Sequence, residues 1–176
     1  MSTPPSIQTT REDHLIAWLS ALAIAIHVLE SIIPTPLPGM KPGLANVVTV
    51  VVLMLFGWRI ALWVSLLRVL AGSLIIGTFM TPTFWLSLAG ALASLVMLGL
   101  LWRLLSGRVS ALGLCVMASL AHMSGQFALA FWVLIPHSAF LKTLPPLLTM
   151  ALIFGLFSGL LANRLLQGLA YASIER

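Results

Sequence analysis

The sequence predicts an all-α membrane protein, a polytopic bundle of six transmembrane helices. Three observations predict it. The chain of 176 residues is 60% hydrophobic and only 7% charged, where soluble domains carry about 25% charged residues, and its mean hydropathy is +1.10. Apolar runs approaching the ~20 residues that cross a bilayer recur along its length. Breaks rich in proline, glycine and serine separate them.

The one markedly polar stretch is MSTPPSIQTTRED. It is too short and too polar for a secretory signal peptide, so residues 1–13 read as a tail, 14–170 as one transmembrane domain and 171–176 as a second tail. The first helix is expected over Leu15–Ile33, an apolar run ended by PTPLPGMKPG. A second, over Gly43–Gly57, is short for a span and reads as tilted or partly re-entrant. The third, Ile60–Phe79, follows the tight turn GWR and stops at TPT. The fourth, Phe84–Leu105, ends at SGR, and the fifth, Ser110–Ile135, ends in PHSAFLKTLPP. The sixth covers Leu144–Leu166.

An even number of spans places both termini on one side. That side holds Arg11, Arg59, Arg103, Arg108 and Arg176, with Arg164 close by; the opposite loops hold only Lys41 and Lys142. Excess basic residues mark cytoplasmic loops, so both termini are expected in the cytoplasm and the proline-rich loops outside. The net charge of +5 therefore reports topology. The basic residues are scattered singly, without the stripe that nucleic acid needs. Cys115 is the only cysteine and no spacing suggests a metal or cofactor site.

Polar residues inside apolar segments are costly and often mark function. Arg68 lies nine residues past Arg59, about 14 Å into the membrane at 1.5 Å per residue. His122 and Gln126 are four apart and share a helix face in the outer half. His27 and Glu30 lie near the outer end of the first helix, Lys41 and Asn46 at the outer start of the second, and Thr78, Thr81, Thr83 and Ser87 around the third outer turn. Together they outline a polar region open to the outside, with Arg68 as its floor. Bland readings stand beside this one. Lys41 can snorkel to headgroups, Glu30 can cap the loop or pair with Lys41, His122 and Gln126 can bond neighbouring helices, and Arg68 can form a structural pair with Glu30. Trp58, Trp63 and Trp102 suit the inner interfacial belt.

Ala17, Ala21 and Ala25 recur every fourth residue and form one stripe, with His27 and Glu30 about 150° away. Small stripes admit a closely packed helix, and Gly155 and Gly159 repeat the signal in the sixth helix.

At HVLESIIPTPLPGMKPGLANVV (His27–Val48) the chain resembles a bacterial family. LLRVLAGSLIIGTF (Leu66–Phe79), SLAGALASLVM (Ser87–Met97) and AHMSGQFALA (Ala121–Ala130) extend the likeness. The family is the Gx transporter family, also known as heptaprenyl diphosphate synthase component I. Two departures are KPGLAN where the family has KLGLAN, and AHMSGQ where it has AHNxGQ; Met123 thus removes one polar group. The family is grouped with the substrate-binding S components of energy-coupling factor (ECF) transporters. The resemblance implies a six-helix protein of the bacterial cytoplasmic membrane that takes a small ligand from the outer face. It also implies a transmembrane coupling subunit and two ATPases as partners, with Ala17, Ala21 and Ala25 matching the A-x-x-x-A stripe that meets the coupling subunit.

Prenyl chain elongation needs aspartate-rich motifs that hold diphosphate through Mg²⁺. Asp13 is the only aspartate here, so the chain is not the catalytic subunit of such a synthase. The first expectation is a solute-binding transport subunit, with Arg68, Glu30, His27, Lys41, Asn46, His122 and Gln126 around the ligand. A vitamin, a flavin or an isoprenoid or quinone precursor all suit that inventory. The second is an accessory membrane subunit of polyprenyl diphosphate or quinone-precursor synthesis. A self-contained transporter or channel comes third and an intramembrane enzyme last. Any ATP hydrolysis belongs to partners, because the chain has no Walker motif.

Overall fold

In the computed structural model the described residues are 10–32, 46–105 and 108–174, with side chains to 168. Six α-helices run through them: α1 (Arg11–Ile32), α2 (Asn46–Phe56), α3 (Trp58–Ile76), α4 (Pro82–Leu104), α5 (Ala111–Leu129) and α6 (Leu144–Ile174). Five helical segments are long and apolar enough to cross a membrane; α2 is the short one. No strand occurs among the described residues. The arginines that flank the helices gather at one end of the bundle, called the arginine-rich end below.

Local chemistry sets the helix boundaries. α1 begins four residues before Leu15, inside the segment expected as a tail, because Thr10 and Asp13 close a reciprocal cap. The Asp13 N–H donates to Thr10 Oγ1 at 3.3 Å, and the Thr10 N–H donates to Asp13 Oδ2 at 2.8 Å. Two otherwise unpaired donors are satisfied at once, which hydropathy alone does not register. Gly57, at φ 84°, is the only residue between α2 and α3; that positive φ suits glycine. Gly77 closes α3 in the left-handed region at φ 76°, with the Thr78 N–H donating back to the Ser73 carbonyl at 2.8 Å, a Schellman-type end. Pro82 starts α4, where a missing N–H costs nothing. Ser110 caps α5 by accepting from the Gly113 N–H.

Two expectations need correcting near the far end. The fifth helix does not continue regularly to Ile135: Ala130–Leu134 forms a π turn. The stretch expected as a loop contains a 3₁₀ helix, Ser138–Thr143, that leads directly into α6. Phe140 explains it, since its buried ring stacks on Phe127 at 4.9 Å and pulls the segment onto the bundle. Pro145 and Pro146 fall in the first turn of α6, where proline is tolerated. At its other end α6 runs to Ile174, well past Leu166 and into the segment expected as a tail.

The packing follows the glycines. On α5, Gly125 lies against Ala89 and Ala93 of α4, where an added Cβ would stand 2.7 Å from the Ala89 carbonyl oxygen. On α6, Gly155 and Gly159 face α5, where such a carbon would stand 2.9 Å from Val116 Cα and 2.7 Å from Leu112 Cα. These contacts make α4, α5 and α6 an antiparallel stack. In contrast, α1 and α3 are parallel neighbours: Glu12 pairs with Arg59 at 3.5 Å, and fifteen residues further along α1 the His27 ring lies on Gly72 of α3. The main apolar core, including Val50, Leu53, Val64, Leu98, Leu114 and Ala118, fills the arginine-rich half. A second cluster of Met123, Phe127, Phe140 and Leu147 fills the opposite half.

Candidate functional site

The short second helix places one buried polar contact. Asn46 and Arg68 each lie eleven positions from Gly57, on opposite arms of the α2–α3 hairpin. Equal rise along two antiparallel helices brings them to one depth. Arg68 Nη2 donates to Asn46 Oδ1 across 3.5 Å, a long contact. Both residues are buried, Arg68 with 2% of its surface exposed.

Glu30, also buried, supplies the carboxylate whose charge acts on Arg68. His27 is held next to it by Gly72; an added methyl there would meet the imidazole Cδ2 at 2.7 Å. His27, Glu30, Asn46 and Arg68 therefore form one group where α1, α2 and α3 meet. Arg68 Nε and Nη1, Asn46 Nδ2 and Thr49 Oγ1 have no hydrogen-bond partner among the described residues. Buried donors in native proteins are nearly always paired, and Arg68 carries its charge permanently. The group thus leaves buried donors without protein acceptors among the described residues.

His122 and Gln126 form a second group on the α4–α5 seam. Gln126 Nε2 lies 2.9 Å from His122 Nε2. The amide and the imidazole thus share one buried hydrogen bond within α5, whose direction follows the imidazole tautomer. Gly90 of α4 makes the room: a Cβ there would stand 2.8 Å from His122 Nε2 and 2.9 Å from Gln126 Cγ. Gln126 is fully buried and its Oε1 has no hydrogen-bond partner among the described residues. Val69, Phe84 and Ala91 pack as an apolar cluster between α3 and α4.

The other expected residues are placed as follows. Lys41 lies outside the described residues. Thr81 donates its hydroxyl to the Thr78 carbonyl at 2.6 Å, so that pair serves the α3–α4 turn; Ser87 is buried on α4. Ala17, Ala21 and Ala25 are all exposed on the outward side of α1, flanked by Trp18 and Leu22. The sequence reading missed Thr49, one turn from Asn46 on α2, and Gly72 and Gly90, the seats of the two histidines. A glycine inside a membrane helix was the available signal, but only the packing pairs each one with its histidine. No group of three or more His, Cys, Asp or Glu side chains able to hold a metal occurs among the described residues.

A sequence profile described as heptaprenyl diphosphate synthase component I matches residues 19–165. No curated protein and no solved structure matches the chain.

Proposed function

The chain belongs to the heptaprenyl diphosphate synthase component I family, and from that premise we propose that it works as a non-catalytic solute-binding subunit in the membrane. It takes a small organic ligand from the outer face, in the manner of an ECF S component. The observation that carries this reading is the donor excess at Arg68 and Asn46: three buried nitrogens without a described acceptor. Permanent charge at that depth is costly, and an acceptor-rich ligand head offsets the cost better than leaving the donors bare. Glu30 and His27 hold Arg68 in place and orient the ligand, Lys41 adds positive charge from the outer loop, and His122 and Gln126 contact the part lying toward α4 and α5. The outward orientation is supported by the arginine distribution. The exposed alanine stripe of α1 is the surface offered to a transmembrane coupling subunit, which brings the ATPases.

A second reading is favoured by the family's own description. As an accessory subunit of a heptaprenyl diphosphate synthase, the chain would assist a catalytic partner and present the same donors to a lipid diphosphate. With Asp13 as its only aspartate, it supplies none of the aspartate-rich chemistry itself.

Mass spectrometry of small molecules retained by the purified full chain tests the first reading, with Arg68→Ala and Asn46→Ala compared at matched helicity. We expect a ligand on the wild type that both variants lose. Equal retention by folded variants would remove Arg68 and Asn46 from the site. Prenyl synthase activity in membranes that depends on this chain would favour the second reading.

A further inference from the structure

A groove at the arginine-rich end has no part in the reading above. It is an open depression of about 470 Å³ lined by Trp58, Val96, Gly99, Leu100, Trp102 and Arg103. Val96, Gly99, Leu100 and Arg103 fall at helical spacings of three and four, so they form one stripe on α4. Gly99 is the dip in that stripe, and the Trp58 ring of α3 lies over it; an added Cβ would meet Trp58 Cη2 at 2.8 Å. The walls face outward from the bundle, with Val96 70% and Leu100 52% exposed. From Val96 to Arg103 the stripe rises about 10 Å, a third of the ~30 Å hydrocarbon core. It therefore stays within one leaflet.

Its chemistry changes along that length. The deep end is aliphatic, the middle is flanked by the indoles of Trp58 and Trp102, and Arg103 stands exposed at the terminal end, in the last turn of α4. Indoles gather at the level of lipid headgroups, and a basic side chain there attracts an anionic headgroup. Arg59, beside Trp58, is occupied by Glu12, whereas Arg103 makes no ion pair among the described residues. We infer that this groove is a binding site for one anionic phospholipid: an acyl chain lies along Val96, Gly99 and Leu100, and the phosphate sits on Arg103. The order aliphatic, aromatic, cationic matches the order acyl chain, glycerol, phosphate. A soluble anion has no use for the aliphatic half.

Native mass spectrometry of the full chain released from detergent tests the site, with phosphatidylglycerol and phosphatidylcholine of matched acyl chains titrated in. The wild type should bind phosphatidylglycerol about fivefold more tightly. Arg103→Gln, an exposed substitution, should equalise the two lipids, and Val96→Trp, which fills the groove from its lipid-facing side, should weaken both. Equal binding by the wild type, or a preference that survives Arg103→Gln, overturns the proposal. So does displacement of phosphatidylglycerol by inorganic phosphate, which would mark a headgroup-only anion site, or unchanged binding by Val96→Trp.

Discussion

The two halves of the bundle are held together by different means. In α4–α6 the helices approach through backbone: Gly125 against Ala89, Gly155 against Val116 and Gly159 against Leu112. In α1–α3 apolar packing is joined by contacts between ionisable and amide side chains, with Glu30 acting on Arg68, Arg68 reaching Asn46 and Glu12 on Arg59. Backbone contacts at van der Waals distance have one solution and resist change. Buried polar contacts with donors left over have several. The α4–α6 packing therefore forms a fixed wall that also carries His122 and Gln126, while α1–α3 bring the buried charges together. The two small-residue stripes show the same division: the glycines of α6 are spent on the chain's own α5, while the alanines of α1 face outward.

Substitutions that exchange these roles should break the contrast, and the largest effect is expected at the charge. Arg68→Ala removes the buried positive charge on which Glu30 acts and should cost about 3–5 kcal/mol, read as a lower unfolding midpoint in detergent. Adding Glu30→Gln should recover part of that loss; a strictly additive double variant would show that the two charges act independently. Next comes Gly159→Leu, which drives a side chain into the backbone of α5 at Leu112. We expect about 3 kcal/mol of destabilisation and loss of a single size-exclusion peak. A mild effect would mean that α6 is not locked as its distances indicate. Gln126→Leu removes one buried amide from the α4–α5 seam, and a side-chain hydrogen bond contributes about 1 kcal/mol net, so a double-mutant cycle with His122→Ala should return a coupling of that order. Smallest of all, Ala21→Leu on the exposed stripe should change stability by less than about 0.5 kcal/mol. The same variant should lose co-purification with a coupling subunit; retention of that partner would leave the stripe as ordinary lipid-facing surface.

Much of the helical plan was legible because hydropathy and breakers are local signals. The first helix was placed within a few residues, and the Gly155–Gly159 spacing identified a real close approach. What escaped was chemistry that hydropathy hides or that only packing creates. The Thr10–Asp13 cap lies in a polar stretch, so its helix-starting role was masked by its charge. The 3₁₀ helix depends on Phe140 meeting Phe127, a tertiary contact with no local trace. For the candidate site, the pairing of His122 with Gln126 could be read from a spacing of four, because both lie on one helix. The seating of His27 on Gly72 and of His122 on Gly90 could not, because it depends on which helices are neighbours. The Asn46–Arg68 contact lies between these cases: equal spacing about Gly57 was written in the chain, but it gains meaning only once that residue is a tight reversal.

The single-residue reversal at Gly57 sets which residues of α2 and α3 stand opposite each other across the hairpin. Asn46 and Arg68 lie the same eleven positions from it, although α3 runs on past Arg68 to Ile76. A contact made at the turn beside Arg59 therefore falls on the same two helices as the buried amide and guanidinium, about 16 Å from them along each.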